Sequence, residues 1–142
     1  DGTVRWGDAG RQKQLALLEG HAGPVLCVAL APDGRTALSG GNDKSVRLWD
    51  LPNGKELHSF KGHANAVVQV QYHVNQREFF SSSSQYQTSA EQAWRRWNLT
   101  ERKEVSSRTP AEDLRFGCAA FSSDGRHIIV GGPAGFLRLW SW

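Results

Sequence analysis

Short apolar runs separated by turn residues set the pattern of this chain, and the clearest example lies between Gly20 and His63. Val25 to Ala31 is apolar, and Pro32-Asp33-Gly34 behind it supplies a reversal. Thr36 to Gly40 is then a second strand. Gly41-Asn42-Asp43 turns the chain into Ser45 to Asp50, whose residues suit a pleated surface, and Pro52-Asn53-Gly54 turns it back into Glu56 to Phe60. The pattern predicts an all-β unit of four antiparallel strands in sequence order. One small sheet with apolar residues on both faces is unstable alone in water, so the unit requires a neighbour on each side.

Two Gly-His dipeptides, Gly20-His21 and Gly62-His63, bracket this unit. The order Gly-His, Asp33-Gly34, Ser39-Gly40-Gly41-Asn42-Asp43 and Val46-Arg47-Leu48-Trp49-Asp50 resembles the WD repeat, whose copies form the four-stranded blades of a β-propeller. The resemblance implies a structural tetrad of His21, Ser39, Asp43 and Trp49, in which Trp49 donates to Ser39, Ser39 to His21 and His21 to Asp43. Asp43 falls in a short turn, where a buried carboxylate is tolerated only if donors fill its lone pairs. The Ser-Gly-Gly and Leu-Trp-Asp-Leu phrasing is also similar to propellers of large bacterial signalling proteins, some of which carry kinase domains.

The rest of the chain lies over this unit as weaker copies. Residues 1–21 align with 43–63 without a gap, so the chain opens at the third strand of a blade. Gly7 stands in place of the tetrad tryptophan, and Trp6 sits one place early, which strand alternation turns to the other face. Leu15 to Leu18 is that blade's outermost strand. The next copy keeps His63, Ser81 and Trp97, with Val67 to Tyr72 as its inner strand. Its Val74-Asn75-Gln76-Arg77 replaces Pro-Asp-Gly-Arg, which predicts a first hairpin of different construction. Ser81 and Trp97 are 16 positions apart where Ser39 and Trp49 are ten apart, so residues 82–92 contain an insertion of six. Glu91 stands where the aspartate would, and His63, Ser81, Glu91 and Trp97 make a partial tetrad. The last copy retains Trp140 alone, with Glu112, Val130 and Ala134 at the other three places. Phe116 to Phe121, Ile128 to Gly131 and Phe136 to Trp140 still read as three strands.

The expected organisation is one partial propeller over residues 1–142. It comprises an outer half-blade at 1–21, a full blade at 22–63, a second at 64–109 carrying the insertion, and a last blade at 110–142 without its outer strand. The resemblance makes this the C-terminal part of a propeller, a little over three blades. A four-stranded face measures roughly 300 Å² at ~4.8 Å per strand and ~3.3 Å per residue. Leaving it bare forgoes up to roughly 8 kcal/mol at ~25 cal/mol per Å², which rivals the net stability of a whole domain, about 5–15 kcal/mol. Further blades are therefore expected, either from chain upstream or from copies of the same chain. The sequence contains no methionine, even at its first position, and reads as an excised or processed segment.

Composition narrows the chemistry. The 142 residues carry a formal charge of +3, with lysines and arginines scattered among acids, which suits solubility and supplies no basic field for phosphates. Trp94-Arg95-Arg96-Trp97 has the look of an aromatic and basic patch. However, Arg5, Arg47, Arg95 and Arg138 share one column of the repeat, so their stems are expected to pack along the blades with heads at the rim, and only Arg96 is an oddity. Nucleic acid is therefore not the expected partner. Cys27 and Cys118 match in two repeats and read as small buried thiols of a reducing, cytoplasmic compartment. No apolar run reaches membrane-spanning length and no signal-peptide pattern opens the chain. His21 and His63 recur at one repeat position with no further ligands at metal spacing, and no phosphate loop or nucleophile motif occurs. Catalytic residues, metal and cofactor are accordingly read as none.

The leading functional candidate is the loop Ser82 to Gln92, which the resemblance places on the top face of the propeller near its channel. Tyr86, between Gln85 and Gln87, has the amphipathic character of an interface anchor, and Pro24 and Asn42 belong to the same face by analogy. The alternative is a serine-rich insertion with no partner. The expected function is a non-catalytic scaffold that binds proteins or peptides. Two alternatives stay open: a regulatory or targeting appendage of a larger signalling enzyme such as a protein kinase, and an excised or engineered propeller fragment that assembles with itself into a closed ring.

Overall fold

The computed structural model describes residues 1–83, 93–109, 118–122, 124–132 and 135–142. Among them are thirteen strands and no helix. The first sheet pairs β1 (Thr3–Asp8) with β2 (Lys13–Glu19). The second contains β3 (Val25–Leu30), β4 (Thr36–Gly41), β5 (Val46–Asp50) and β6 (Lys55–Phe60). The third contains β7 (Val67–Tyr72), β8 (Glu78–Ser83), β9 (Trp94–Asn98) and β10 (Lys103–Arg108), and the fourth β11 (Cys118–Phe121), β12 (His127–Gly131) and β13 (Leu137–Ser141). Within each sheet every strand pairs antiparallel with its neighbours in sequence. β2 runs beyond the expected Leu15 to Leu18 because its ladder with β1 continues out to Asp8 opposite Lys13.

The first hairpin of each larger sheet turns in one way. Asp33 Oδ1 accepts the Arg35 amide at 2.9 Å, Gly34 takes a φ of 68°, and its N–H donates to Ala31 O at 2.9 Å. Asp124 and Gly125 repeat the arrangement, with the Arg126 amide 3.0 Å from Asp124 Oδ1. The different construction expected at residues 74–77 is not found. Asn75 Oδ1 accepts the Arg77 amide at 2.9 Å, and Gln76 takes the place of Gly34 at a φ of 53°, donating to His73 O at 2.9 Å. Asparagine offers the side-chain oxygen that aspartate offers, so the turn survives the loss of both Pro and Gly.

Alternation along each strand sends successive side chains to opposite faces, and the sheets stack through both. Between the second and third sheets lie Leu38, Val46, Leu48, Phe60, Val67, Val70, Phe79 and Trp97. Between the third and fourth lie Phe80, Trp94, Ala119, Phe121, Ile128 and Val130. Phe79 and Phe80 therefore serve two different cores. Phe79 stacks on Trp97 with centroids 6.0 Å apart, and Phe80 on Phe121 at 4.4 Å. The first sheet covers the outer part of the second, through Leu18 against Ala37, Trp49 and Leu51, with Val4, Trp6 and Ala16 beside them.

The two cysteines depart from the expectation of two small buried thiols, Cys27 in part and Cys118 fully. Cys27 is half-buried and faces the third sheet, where Sγ lies 3.7 Å from Val67 O and burial pushes the thiol up to about 12. Cys118 is exposed. Ala119 and Phe121 take the face towards the third sheet, so alternation turns Cys118 to the far face, which no described residue covers.

Polar groups also join neighbouring sheets. Gln69 Nε2 donates to Ala119 O and Gln71 Nε2 to Phe121 O at 2.9 Å, while Phe121 N donates back to Gln71 Oε1 at 3.2 Å. The Gln71 amide thus takes the part of a strand backbone for β11. Gln71→Glu replaces the donor by a carboxylate aimed at a carbonyl oxygen. It should destabilise the fold by about 1–3 kcal/mol, read as a lower urea midpoint with the slope unchanged, and Gln71→Ala should cost less than Gln71→Glu.

Candidate interaction face

The turn between β4 and β5 is held by a buried hydrogen-bond chain. Trp49 Nε1 donates to Ser39 Oγ at 2.8 Å, Ser39 Oγ lies 2.7 Å from His21 Nε2, and His21 Nδ1 lies 2.9 Å from Asp43 Oδ1. Ser39 already accepts from Trp49, so its hydroxyl proton goes to Nε2. That leaves the ring proton on Nδ1, directed at the carboxylate. Asp43 also accepts from the Ala22 amide at 3.0 Å, the Ser45 amide at 3.2 Å and Ser45 Oγ at 2.8 Å. Burial alone would raise the pKa of Asp43, but the bonds from His21, Ser45 and Ala22 outweigh it and hold the carboxyl at about 2. Gly41 is required here, because a Cβ would stand 2.7 Å from His21 Nδ1.

This network fixes two loops against each other. Asp43 ties the segment after His21 to the β4–β5 turn, and Asn42 N donates to Pro24 O at 2.9 Å. Pro24 and Asn42 are both exposed and stand side by side at one end of the second sheet. Ser45 was missed by sequence reasoning, although a hydroxyl two residues after a turn aspartate is a signal for this bond.

The third sheet carries the chain only part-way. Trp97 Nε1 donates to Ser81 Oγ at 2.7 Å, and Ser81 Oγ lies 2.6 Å from His63 Nε2. His63 Nδ1 has no hydrogen-bond partner. Burial, with the nearby Arg95 charge second, pushes the His63 imidazole down to about 3. The insertion leaves the sheet from a paired base, since Ser83 N donates to Ala93 O and Ala93 N to Ser83 Oγ, both at 3.1 Å. Gln85, Tyr86, Gln87 and Glu91 lie outside the described residues, as do Glu112 and Ala134 of the last copy. In the fourth sheet Val130 offers no oxygen, and the buried Trp140 Nε1 has no partner.

The basic run at residues 94–97 is neutralised from within. Arg95 pairs with Glu104 as Arg47 pairs with Glu56, each across adjacent strands. Arg96, unexplained by the repeat, grips Glu78 Oε2 through Nε at 3.1 Å and Nη2 at 2.6 Å. Among the described residues no group of three or more His, Cys, Asp or Glu side chains is placed to hold a metal.

The family model for the WD domain, G-beta repeat, matches residues 12–50, 54–86 and 113–141, well over half of the sequence. The chain belongs to the WD-repeat family. Its stacked antiparallel sheets are WD-repeat propeller blades, a little over three of them. It is 31% identical to the small ribosomal subunit protein RACK1 of Brassica napus, over 90% of this chain and 42% of that protein. Kinesin-like protein KIF21B of Mus musculus is 35% identical over 51% of this chain and 4% of its own length. The probable E3 ubiquitin ligase complex SCF subunit sconB of Arthroderma benhamiae is 45% identical over 41% of this chain and 9% of its own. This WD-repeat chain therefore spans less than half the length of these relatives.

Two outcomes test the hydrogen-bond chains of these blades. Asp43→Ala strands the donors of His21, Ala22 and Ser45 and should cost about 1–3 kcal/mol in a urea titration. His63 is neutral when folded down to about 3 but titrates near 6.5 when unfolded, so stability should decline as pH falls from 6.5 towards 3. His63→Gln should make that decline shallower in thermal melts recorded across the same range.

Proposed function

We propose that this WD-repeat segment is a non-catalytic scaffold whose loop rim binds a protein or peptide. The observation that carries the reading is the rigid display of exposed Pro24 and Asn42 on backbone locked by the Asp43 network. Rigid loops on a stacked-sheet frame bind without a large ordering cost. We extend the same reading to Gln85, Tyr86 and Gln87, with Tyr86 as the aromatic anchor, because the β8–β9 connection that contains them corresponds in the repeat to the β4–β5 turn that carries Asn42. The arginines that could have met phosphates are paired with Glu56, Glu78 and Glu104, which favours protein over nucleic acid. A cytoplasmic location is part of the same reading and fits two free thiols. No helix among the described residues is long and apolar enough to cross a membrane.

A second reading, an appendage that positions a larger signalling enzyme, draws on relatives in which the matched part is only 4% or 9% of a much longer chain. The two readings share the same surface and differ in what is attached to it. For either, a partner captured by cross-linking, purified and titrated against the chain should bind the double variant Asn42→Ala, Tyr86→Ala at least tenfold more weakly. The unfolding free energy of that variant in a urea titration should stay within about 0.5 kcal/mol of the parent. Unchanged affinity would remove this rim as the binding surface.

A further inference from the structure

The turns at the end of the stack opposite Asn42 carry their charges unevenly. Connections between consecutive antiparallel strands alternate between the two ends, so the β3–β4, β5–β6, β7–β8, β9–β10 and β11–β12 turns share one end. Contacts between sheets bring these turns together. Tyr72 OH lies 3.1 Å from Thr36 Oγ1, and Gly125 sits so close to His73 that a Cβ would stand 2.5 Å from Nε2. On the second sheet this end is balanced, with Arg35 and Lys55 among Asp33 and Asp50. On the fourth sheet Arg126 stands two residues after Asp124.

The third sheet is not balanced. Arg77, Arg102 and Lys103 meet one free-standing carboxylate, Glu101, which Lys103 already holds at 2.6 Å, while Glu78 is taken up by Arg96. Among the described residues neither Arg77 nor Arg102 forms an ion pair, and both are exposed. Two details of the turns produce this excess. Asn75 stands where the neighbouring blades have Asp33 and Asp124, and by accepting the Arg77 amide at 2.9 Å it keeps the turn while removing the charge beside Arg77. Arg102 has a φ of 54°, where the β5–β6 turn places Gly54 at 63°. Left-handed backbone disfavours a bulky side chain, so the turn itself gives no reason for an arginine there. Leu99 N donates to Arg77 O at 2.8 Å and ties the two arginine-bearing turns together.

We propose that this cationic end of the third blade is a second docking surface, for a short acidic segment of a partner protein. Guanidinium groups match carboxylates in bidentate geometry, and clusters of arginine recognise acidic motifs in this way. An extended segment with acids at alternate residues sets its carboxylates on one side, ~6.6 Å apart. Nucleic acid fits less well, because its phosphates form an unbroken line of charge. The positive excess is confined to one blade, and the turns on either side carry Asp33, Asp50 and Asp124. The surface stands apart from Pro24 and Asn42, so its occupation is independent of theirs.

A fluorescein-labelled peptide of alternating glutamate and serine, titrated with the chain and followed by anisotropy, should bind saturably. At about 0.1 M salt exposed charges more than ~10 Å apart are largely screened, so the reading is local. Arg77→Glu and Arg102→Glu should each weaken binding at least fivefold, and Asn75→Asp, which keeps the turn, at least twofold. Arg102→Gly should weaken binding with the urea midpoint unchanged or raised, a split that a structural role for Arg102 would not give. Arg35→Glu on the next blade and Asn42→Ala at the opposite end should change affinity less than twofold. Absence of binding, or an Arg35→Glu loss equal to that of Arg77→Glu, would overturn the proposal. An oligothymidylate of the same charge bound as tightly as the peptide would overturn it in favour of nucleic acid, and none of these outcomes bears on the Asn42 rim.

Discussion

Each sheet in this protein is apolar on both faces, and that single constraint governs the rest. A sheet of four strands has no interior of its own, so its core is whatever it shares with the next sheet. Phe79 and Phe80, adjacent in sequence, point into different cores, one against Trp97 and Phe60, the other against Phe121 and Trp142. Stability is then a property of neighbours in the stack, as in other repeat proteins.

Within that frame the hydrogen-bond chain around Asp43 is a local device with a positional result. A carboxylate near the sheet end collects donors from a histidine, a serine and two backbone amides, and in doing so sets the distance between two loops. The chain weakens along the sequence without loss of the blade. The third sheet keeps the Trp97, Ser81 and His63 bonds but leaves His63 Nδ1 unpaired, and the fourth substitutes Val130 and relies on packing. Blade geometry thus tolerates loss of the polar network where aromatic contacts such as Phe80 on Phe121 are strong.

Contacts between blades combine this apolar stacking with a few polar bonds. Gln69 and Gln71 reach the backbone of β11, Tyr72 OH lies 3.1 Å from Thr36 Oγ1, and Trp142 Nε1 donates to Ser106 Oγ at 3.2 Å. Such bonds lock the relative rotation of the sheets, which greasy faces alone would leave loose. A rigid rim is what a binding surface on loops needs.

The sequence by itself determined the family, the all-β class and the strand order, because Gly-His, Ser-Gly-Gly-Asn-Asp and Leu-Trp-Asp recur at fixed spacing and alternation has a period of two. It also determined which arginines share a column. The turn at residues 74–77 misled, since Asn75 and Gln76 supply by side-chain bonding and left-handed backbone what Asp-Gly supplies elsewhere. Tertiary structure alone decided that Arg96 pairs with Glu78, that Gln71 bonds to Phe121, and that Cys118 faces outward while Cys27 faces a neighbour. Those facts depend on which sheet lies against which face, a relation between segments distant in the chain, and local sequence carries no record of it.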